Sequence, residues 1–307
     1  RSILGQTLTD FELVIIDDGT GAGLSALGDD AQDPRLRLVS FPEKRGIACA
    51  RNAARSTARG EFIALMDSDD LCLPDRLARQ VTALREDPKL GLLYTHAWEI
   101  DADDRVTGSR FTLTTPREHR EFSAFGLPAT NPSLAGRREV FERFPYREEF
   151  IAAEDFDFMA RAVEVWPSRA LAEQLFFYRR HAMQVTEEIP RIQALHTCVC
   201  QLLTARRRSG RSEEMASLRD TLDAWHASPP PGDALYAGFA RLALAEKLTL
   251  PAVYFARKLL SVRRDLSAAA TATRVLAAAL RLEPRHSALL LRLFFTGPLR
   301  AHSLRPS

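Results

Sequence analysis

Short apolar runs alternate with amphipathic stretches along the first 190 residues. Phe11–Asp17 is nearly continuous in apolar residues and ends in acid, as a strand reads when both faces of its sheet are covered. Leu36–Phe41, Phe62–Met66 and Leu92–Trp98 repeat that texture. Between them, Ile47–Arg59 reads as a helix rich in Ala and Arg, with Gly60 placed where a helix stops. Pro74 suits a first helical turn and opens a helix running to about Asp87-Pro88. Asp101–Arg105 reads as a turn. Glu154-Asp155-Phe156-Asp157 opens a helix to about Trp166, and Leu175–Tyr178 is a further apolar run. Strand and helix alternating over short connections predict an α/β domain, a mostly parallel sheet flanked by helices. Chemistry in such sheets collects at the carboxyl ends of the strands.

Beyond about Pro190 the strand signal fades. Leu235–Leu248, Ala252–Arg263 and Ala268–Leu282 have helical spacing, and Ser228–Gly232 breaks the run. No fixed repeat period appears, so a solenoid is not predicted. The expected division is an α/β domain over 1–189 and an α-helical region over 190–307. Residues 191–307 hold 18 Lys and Arg against 8 Asp and Glu, a balance of +10 that leaves the front at −8 within a net +2. That basic back includes Arg206-Arg207-Arg208, Arg211 and Arg263-Arg264. A solvated helical face explains it, and peripheral docking to an anionic membrane surface is the functional alternative. Nucleic acid is not an expected partner, because no binding-fold signature accompanies the charge. Hydrophobic residues at 46% and charged residues at 27% exclude a wholly disordered or collagen-like chain.

No window approaches the roughly 18 apolar residues of a membrane span, and Ser287–Phe295 is broken by Arg292. Cys49, Cys72, Cys198 and Cys200 lack the two-residue gap of redox or zinc motifs, as expected of idle thiols in a reducing cytoplasm. The opening residues Arg1–Thr7 read as the tail of a helix already in progress, so an upstream piece is expected.

Three acid clusters carry the candidate chemistry. Met66-Asp67-Ser68-Asp69-Asp70 follows a buried strand. Crowded like charges are costly unless a cation offsets them, and Mg²⁺ or Mn²⁺ prefers carboxylate oxygens with phosphates completing the shell. An ordinary acidic turn, with Asp70 capping the next helix, is the plain alternative. Asp17-Asp18-Gly19 also ends a strand. The following Thr20–Leu24 fits a dinucleotide fingerprint poorly, and Asp18 suits acceptance of a base or ribose N–H or O–H. Glu154-Asp155 at a helix start is either a dipole-stabilised pair or a source of a general base. Lys44-Arg45-Gly46 leads into a helix carrying Arg51 and Asn52, useful near a phosphate.

Taken together, these segments resemble the family 2 glycosyltransferases, nucleotide-sugar enzymes of GT-A fold. The matching stretches are Ser2–Thr7, Asp10–Gly19, Gly46–Asn52, Gly60–Asp70, Pro74–Leu77, Ala153–Asp155 and Tyr178–His181, in order from residue 1 to about 187. The resemblance implies that Asp17 and Asp18 lie at the donor, with Asp18 on the nucleotide base, and that Arg51, Asn52 and Glu154 shape the substrate pocket. It implies Asp67 and Asp69 as a DxD element, with Asp69 the direct metal ligand, Asp67 near the ribose or metal, and His181 a further metal or pyrophosphate contact. Asp155 would be the catalytic base of an inverting transfer. The implied cofactor is Mn²⁺ or Mg²⁺, and the implied partners are a nucleotide-diphosphate sugar, UDP-linked by preference, and a sugar or lipid-linked acceptor hydroxyl. Bacterial surface polysaccharide or lipopolysaccharide assembly in the cytoplasm, at the inner face of the membrane, is the implied setting.

The chain departs from that pattern in two places. The strand and helix that precede Ser2 in the family, on the order of 20 residues, are absent. The Gln-x-x-Arg-Trp element of processive synthases is missing, since Gln174 is followed by Leu-Phe-Phe-Tyr, which argues against a cellulose- or hyaluronan-type synthase. Two other readings compete: a haloacid-dehalogenase-type phosphatase using Asp67-Ser-Asp69, and a degenerate transferase that serves as a non-catalytic scaffold. Arg110–Ser133 is the expected acceptor-loop region.

Overall fold

A computed structural model describes residues 1–181, 190–213, 231–263 and 265–296. The chain divides into two compact units, the first formed by residues 1–123 and 127–181, the second by 124–126 and the described residues from 190 onward.

In the first unit the apolar runs become strands: β1 (Leu13–Asp17), β2 (Leu36–Ser40), β3 (Phe62–Ala64) and β5 (Leu92–Ile100). β4 (Leu71–Cys72), β6 (Val106–Arg110), β7 (Ala135–Arg137) and the long β8 (Ser168–Arg179) complete the set. The helices are α1 (Ile47–Thr57), α2 (Arg76–Glu86), α3 (Pro116–Phe122), α4 (Arg138–Arg143) and α5 (Glu154–Ala162). α1 ends before Gly60, as Ala58 turns extended, and the Gly60 carbonyl instead accepts from the Arg138 guanidinium. α5 stops short of Trp166, whose N–H turns back to the Ala162 carbonyl. Of the opening residues, Gly5 N–H bonds to the Arg1 carbonyl over one helical turn. Gln6 then anchors them, its amide donating to the Leu73 carbonyl at 2.7 Å and accepting from Leu77 N–H at 2.9 Å.

The α/β expectation holds, but the sheet is mixed rather than mostly parallel. β1 and β2 pair in parallel as a separate two-stranded sheet. The larger sheet runs β3-β7-β5-β8-β4, with β6 paired to β5. In it only β5 and β8 are parallel; β3/β7, β5/β7, β4/β8 and β5/β6 are antiparallel. The cause is connectivity. β6 returns through the Asp101–Arg105 turn, and a tight turn forces antiparallel pairing. An apolar run reports burial on both faces but not direction.

Two apolar clusters support the sheet. Leu84, Leu90, Leu93 and Ala135 form one, with Phe62 and Leu171 against it. Cys72, Ala97 and Phe176 form the other, with Ile3, Met66 and Tyr178 against it, so Met66 anchors the chain immediately before Asp67.

The second unit is helical: α6 (Pro190–Arg208), α7 (Gly232–Ala245), α8 (Thr249–Val262), α9 (Leu266–Leu282) and α10 (Ser287–Thr296). Cys198 and Cys200 are buried in α6. The break at Ser228–Gly232 lies largely outside the described residues. The expected free basic face is in large part neutralised. Arg206 pairs with Glu246, Arg207 with Glu213 at 2.6 Å, and Arg263 with Asp233 at 3.2 Å and with Asp265. Among the described residues no helix is long and apolar enough to cross a membrane.

Candidate active site

Asp17 is the last residue of β1, and Asp67–Asp70 fills the turn between β3 and β4. Both acid clusters therefore occupy the strand ends that periodicity predicted. The Asp67–Asp70 turn is tight, Asp70 N–H reaching the Asp67 carbonyl at 3.3 Å. Two arginines fix it. Arg76, fully buried, donates one guanidinium nitrogen to the carbonyls of Leu65 and Pro132, both at 2.9 Å, and lies over the Phe176 ring. Arg179 donates Nε to the Asp69 carbonyl at 2.6 Å and its backbone N–H to Asp70 Oδ1 at 2.8 Å. Asp70 thus ties β8 to the turn and does not cap α2. Burial pushes its carboxyl up to about 8, the Arg179 N–H pulls down, and Asp67 and Asp69 add to the rise.

Arg51 is the hub. It projects from α1 to pair with Glu154 at the start of α5, and its Nη2 lies 3.6 Å from Asp67 Oδ1. Its guanidinium also sits over the Tyr146 ring, 5.5 Å from the centroid. Burial alone would lower its proton affinity, but Glu154 and Asp67 raise it further, so Arg51 stays charged. Burial raises the Asp67 carboxyl, and Arg51 pulls it back while Asp69 and Asp155 push it up. Glu154 follows the same balance, raised by burial and drawn down by Arg51. One charge cluster therefore joins Asp67, Asp69, Arg51, Glu154 and Asp155. Four of these five share no local sequence segment with Arg51. Asp155 lies in the first turn of α5, entered through Ala153 in the left-handed conformation, and its Oδ1 accepts from Phe156 N–H at 2.7 Å.

His181 Nε2 lies 2.9 Å from Asp69 Oδ2. Donors about 2.1 Å from an ion at neighbouring octahedral positions are about 3 Å apart, so this pair fits two places on one divalent cation. Asp67 faces Arg51, and no cluster of three or more metal-ligating side chains occurs among the described residues. The donor set suits an ion whose shell is completed by phosphate and water.

The other predicted residues serve the framework. Asp17 accepts from Thr20 N–H and Oγ1 at 2.9 and 2.6 Å and from Gly23 N–H at 3.2 Å, and these bonds, Thr20 foremost, hold its carboxyl below the usual range. Asp18 accepts from Arg45 N–H at 2.7 Å and Gly46 N–H at 2.9 Å, fastening the loop that starts α1. Gly19 makes that approach feasible. At φ 76° a Cβ there would sit 2.3 Å from the Lys44 nitrogen. Asn52 has both amide ends on the Tyr146 backbone, at 2.8 and 2.9 Å, so it acts by placing Tyr146. Tyr94 and Tyr146 are buried with hydroxyls that have no partner, and Asp155 raises the proton affinity of both after burial does. No motif marks these two tyrosines. Arg76 and Arg179 lay inside recognised stretches but without a role.

Comparison with known proteins agrees with this architecture. Residues 1–144 match the family described as "Glycosyl transferase family 2". A chondroitin synthase of Escherichia coli is 32% identical over 177 residues, covering 54% of this chain and 24% of that protein. A hyaluronan synthase of Pasteurella multocida is 33% identical over 138 residues, covering 42% of this chain and 14% of its own. The chain spans less than two thirds of the length of the curated relatives it matches. Among solved structures, S. aureus TarS 1-349 in complex with UDP-GlcNAc superposes with a TM-score of 0.58 at 16% identity, over 94% of this chain and 78% of that one. The phosphatase alternative finds no counterpart in these matches. Over its front 144 residues the chain thus resembles glycosyl transferase family 2, and it has the GT-A fold.

Proposed function

We propose that the chain transfers a sugar from a nucleotide-diphosphate sugar, a UDP-sugar by preference, to an acceptor hydroxyl with inversion, in the assembly of a polysaccharide. One observation carries the reading: Asp155, 88 and 86 residues beyond Asp67 and Asp69 in sequence, shares with them one charge cluster organised by Arg51. Asp18 and α1 frame the nucleotide side, and Asp69 with His181 holds Mn²⁺ or Mg²⁺ against the diphosphate. When bound, such an ion neutralises the charge that grows on the leaving diphosphate. Asp155 takes the proton of the attacking hydroxyl, and a carboxylate within hydrogen-bond reach suffices for that task. Arg51 and Glu154 hold Asp67 and the start of α5 in register.

The relatives named as chondroitin and hyaluronan synthases support a glycan acceptor, and a lipid-linked acceptor at the cytoplasmic membrane face remains within the reading. Membrane contact by the helical unit is its weaker part, because Arg206, Arg207 and Arg263 are already paired. The test is Asp155→Asn in a transfer assay over a panel of nucleotide sugars. Transfer should fall by at least 10³-fold at the scale general-base loss produces, with nucleotide binding nearly unchanged. Preserved transfer with lost nucleotide affinity would refute the base. A chain that binds no nucleotide sugar with Mn²⁺ would instead be the scaffold.

A further inference from the structure

Two hydroxyls lie beside the charge cluster, and the transfer chemistry leaves them unused. Tyr94, on β5, is 0% exposed and Tyr146, ahead of α5, is 2% exposed. Neither hydroxyl has a hydrogen-bond partner among the described residues. Phenylalanine would fill the same space with no polar atom to desolvate. A buried hydroxyl left unmatched is costly, so its place in the fold points to a partner.

The fold fixes both rings. Asn52 holds the Tyr146 backbone at both its N–H and its carbonyl. The Arg51 guanidinium lies over the Tyr146 ring at 5.5 Å, and Phe158 of α5 stacks on that ring at 4.9 Å. Phe158 stands three residues beyond Asp155, so the two side chains share one face of α5, the face that receives Tyr146. The Tyr94 ring packs against His119 at 5.7 Å, but His119 cannot serve its hydroxyl. Its Nδ1 is met by Ser168 Oγ at 2.9 Å and its Nε2 by the Leu113 carbonyl at 2.6 Å.

The acceptor common to the two hydroxyls is Asp155. Burial raises the proton affinity of both, and Asp155 adds to the rise in each, while Glu154 and Asp67 add to it at Tyr146. Arg51 also acts on both, but a guanidinium only donates. Phe156 N–H takes one Asp155 oxygen, Oδ1, at 2.7 Å, and the other accepts from no described residue. Rotation about the last bond of an aspartate is loosely restrained, so one anchored oxygen leaves the other free to swing. Beyond the length of a direct hydrogen bond a single water joins such groups, and a buried water makes about three bonds. Two hydroxyls and one carboxylate oxygen supply three. We propose that, with Asp155 read as the base of the transfer, Tyr94 and Tyr146 are its positioning residues, their hydroxyls holding the second carboxylate oxygen toward the acceptor through one water bound between them.

The experiment uses the whole chain with Tyr94→Phe, Tyr146→Phe and Asp155→Asn, singly and combined. Each Tyr→Phe variant should lower kcat on the order of 10-fold, with KM for the nucleotide sugar and UDP affinity unchanged. Tm should stay within about 4 °C of the parent, the scale of one hydrogen bond in a unit of this size. In the Asp155→Asn background neither tyrosine change should lower residual transfer further, because both act through that carboxylate. Tyrosine hydroxyl protons followed by NMR give a readout that needs no turnover. Each Tyr→Phe variant identifies one signal, and Asp155→Asn should shift both. Four results would each overturn the proposal: parental kcat in either Tyr→Phe variant, a loss that appears in KM instead, losses that multiply with that of Asp155→Asn, or hydroxyl signals indifferent to Asp155→Asn. A parent chain that transfers no sugar would instead refute the proposed function, and the hydroxyl signals would still decide whether the tyrosines hold Asp155.

Discussion

Arg51→Met tests the organisation of the site without any substrate. Arg51 bridges Glu154 and Asp67, its side chain 12% exposed and that of Glu154 6%. Removing one member of a buried pair leaves the other charge dry and unpaired, which costs about 3–5 kcal/mol. For a unit of this size each kcal/mol lowers Tm by about 2–4 °C, so a fall on the order of 10 °C is expected. Glu154→Gln alone should be milder, because Arg51 keeps Asp67 at 3.6 Å. The double variant Arg51→Met with Glu154→Gln should recover much of the loss, since the stranded carboxylate is gone. The cycle should then show a coupling of about 2–3 kcal/mol, within the range of contacting residues. Urea unfolding monitored by circular dichroism gives all four free energies. The pH dependence adds a second reading. Without Arg51, burial raises the Glu154 carboxyl, so the single variant should recover stability as acid protonates it, and the double variant should not. A single variant within about 1 kcal/mol of the parent, or a double variant as poor as the two losses added, would show that Arg51 does not organise the cluster.

Gly19→Ala should destabilise by at least the ~1–2 kcal/mol of an L-residue in the left-handed region, because its Cβ would meet the Lys44 nitrogen at 2.3 Å; Tm and UDP affinity should fall together. His119 is fully buried between Ser168 Oγ and the Leu113 carbonyl, and burial lowers its pKa to about 4. The folded state thus binds fewer protons than the unfolded one below pH 6.5, and stability present above that pH is lost toward pH 4. About 2 kcal/mol should disappear between pH 7 and pH 5 and should be absent from His119→Asn, as denaturant midpoints at both pH values would show. Removal of divalent ions with EDTA should lower nucleotide-sugar affinity at least 10-fold, with Mn²⁺ restoring it, while Asp69→Asn should make the affinity insensitive to EDTA by calorimetry.

How far the sequence could be read depended on the range of the physics involved. β1 ending in Asp17 and β3 leading through Leu65 and Met66 into Asp67 are local facts, since an apolar run that leads into a carboxylate marks both the strand and the place of the acid. The order of the motifs brought in the GT-A fold and, with it, the expectation that Asp155 lies near Asp67. Sheet direction was not legible, because Phe62–Ala64 and Ala135–Arg137 look alike whether their pairing is parallel or antiparallel. The roles of the arginines were hidden for a related reason. Arg51, Arg76 and Arg179 are three identical side chains in three recognised stretches, and only their distant partners distinguish them: Glu154, the Leu65 and Pro132 carbonyls, and the Asp69 carbonyl. Asn52 shows the same limit from the other side. Its amide suits a ligand, yet both ends are met by the Tyr146 backbone 94 residues away. A motif therefore does not tell which atoms of a polar side chain the fold already meets. The buried hydroxyls of Tyr94 and Tyr146, which no motif marks, are left unmatched, whereas both amide ends of Asn52, which a motif does mark, are met.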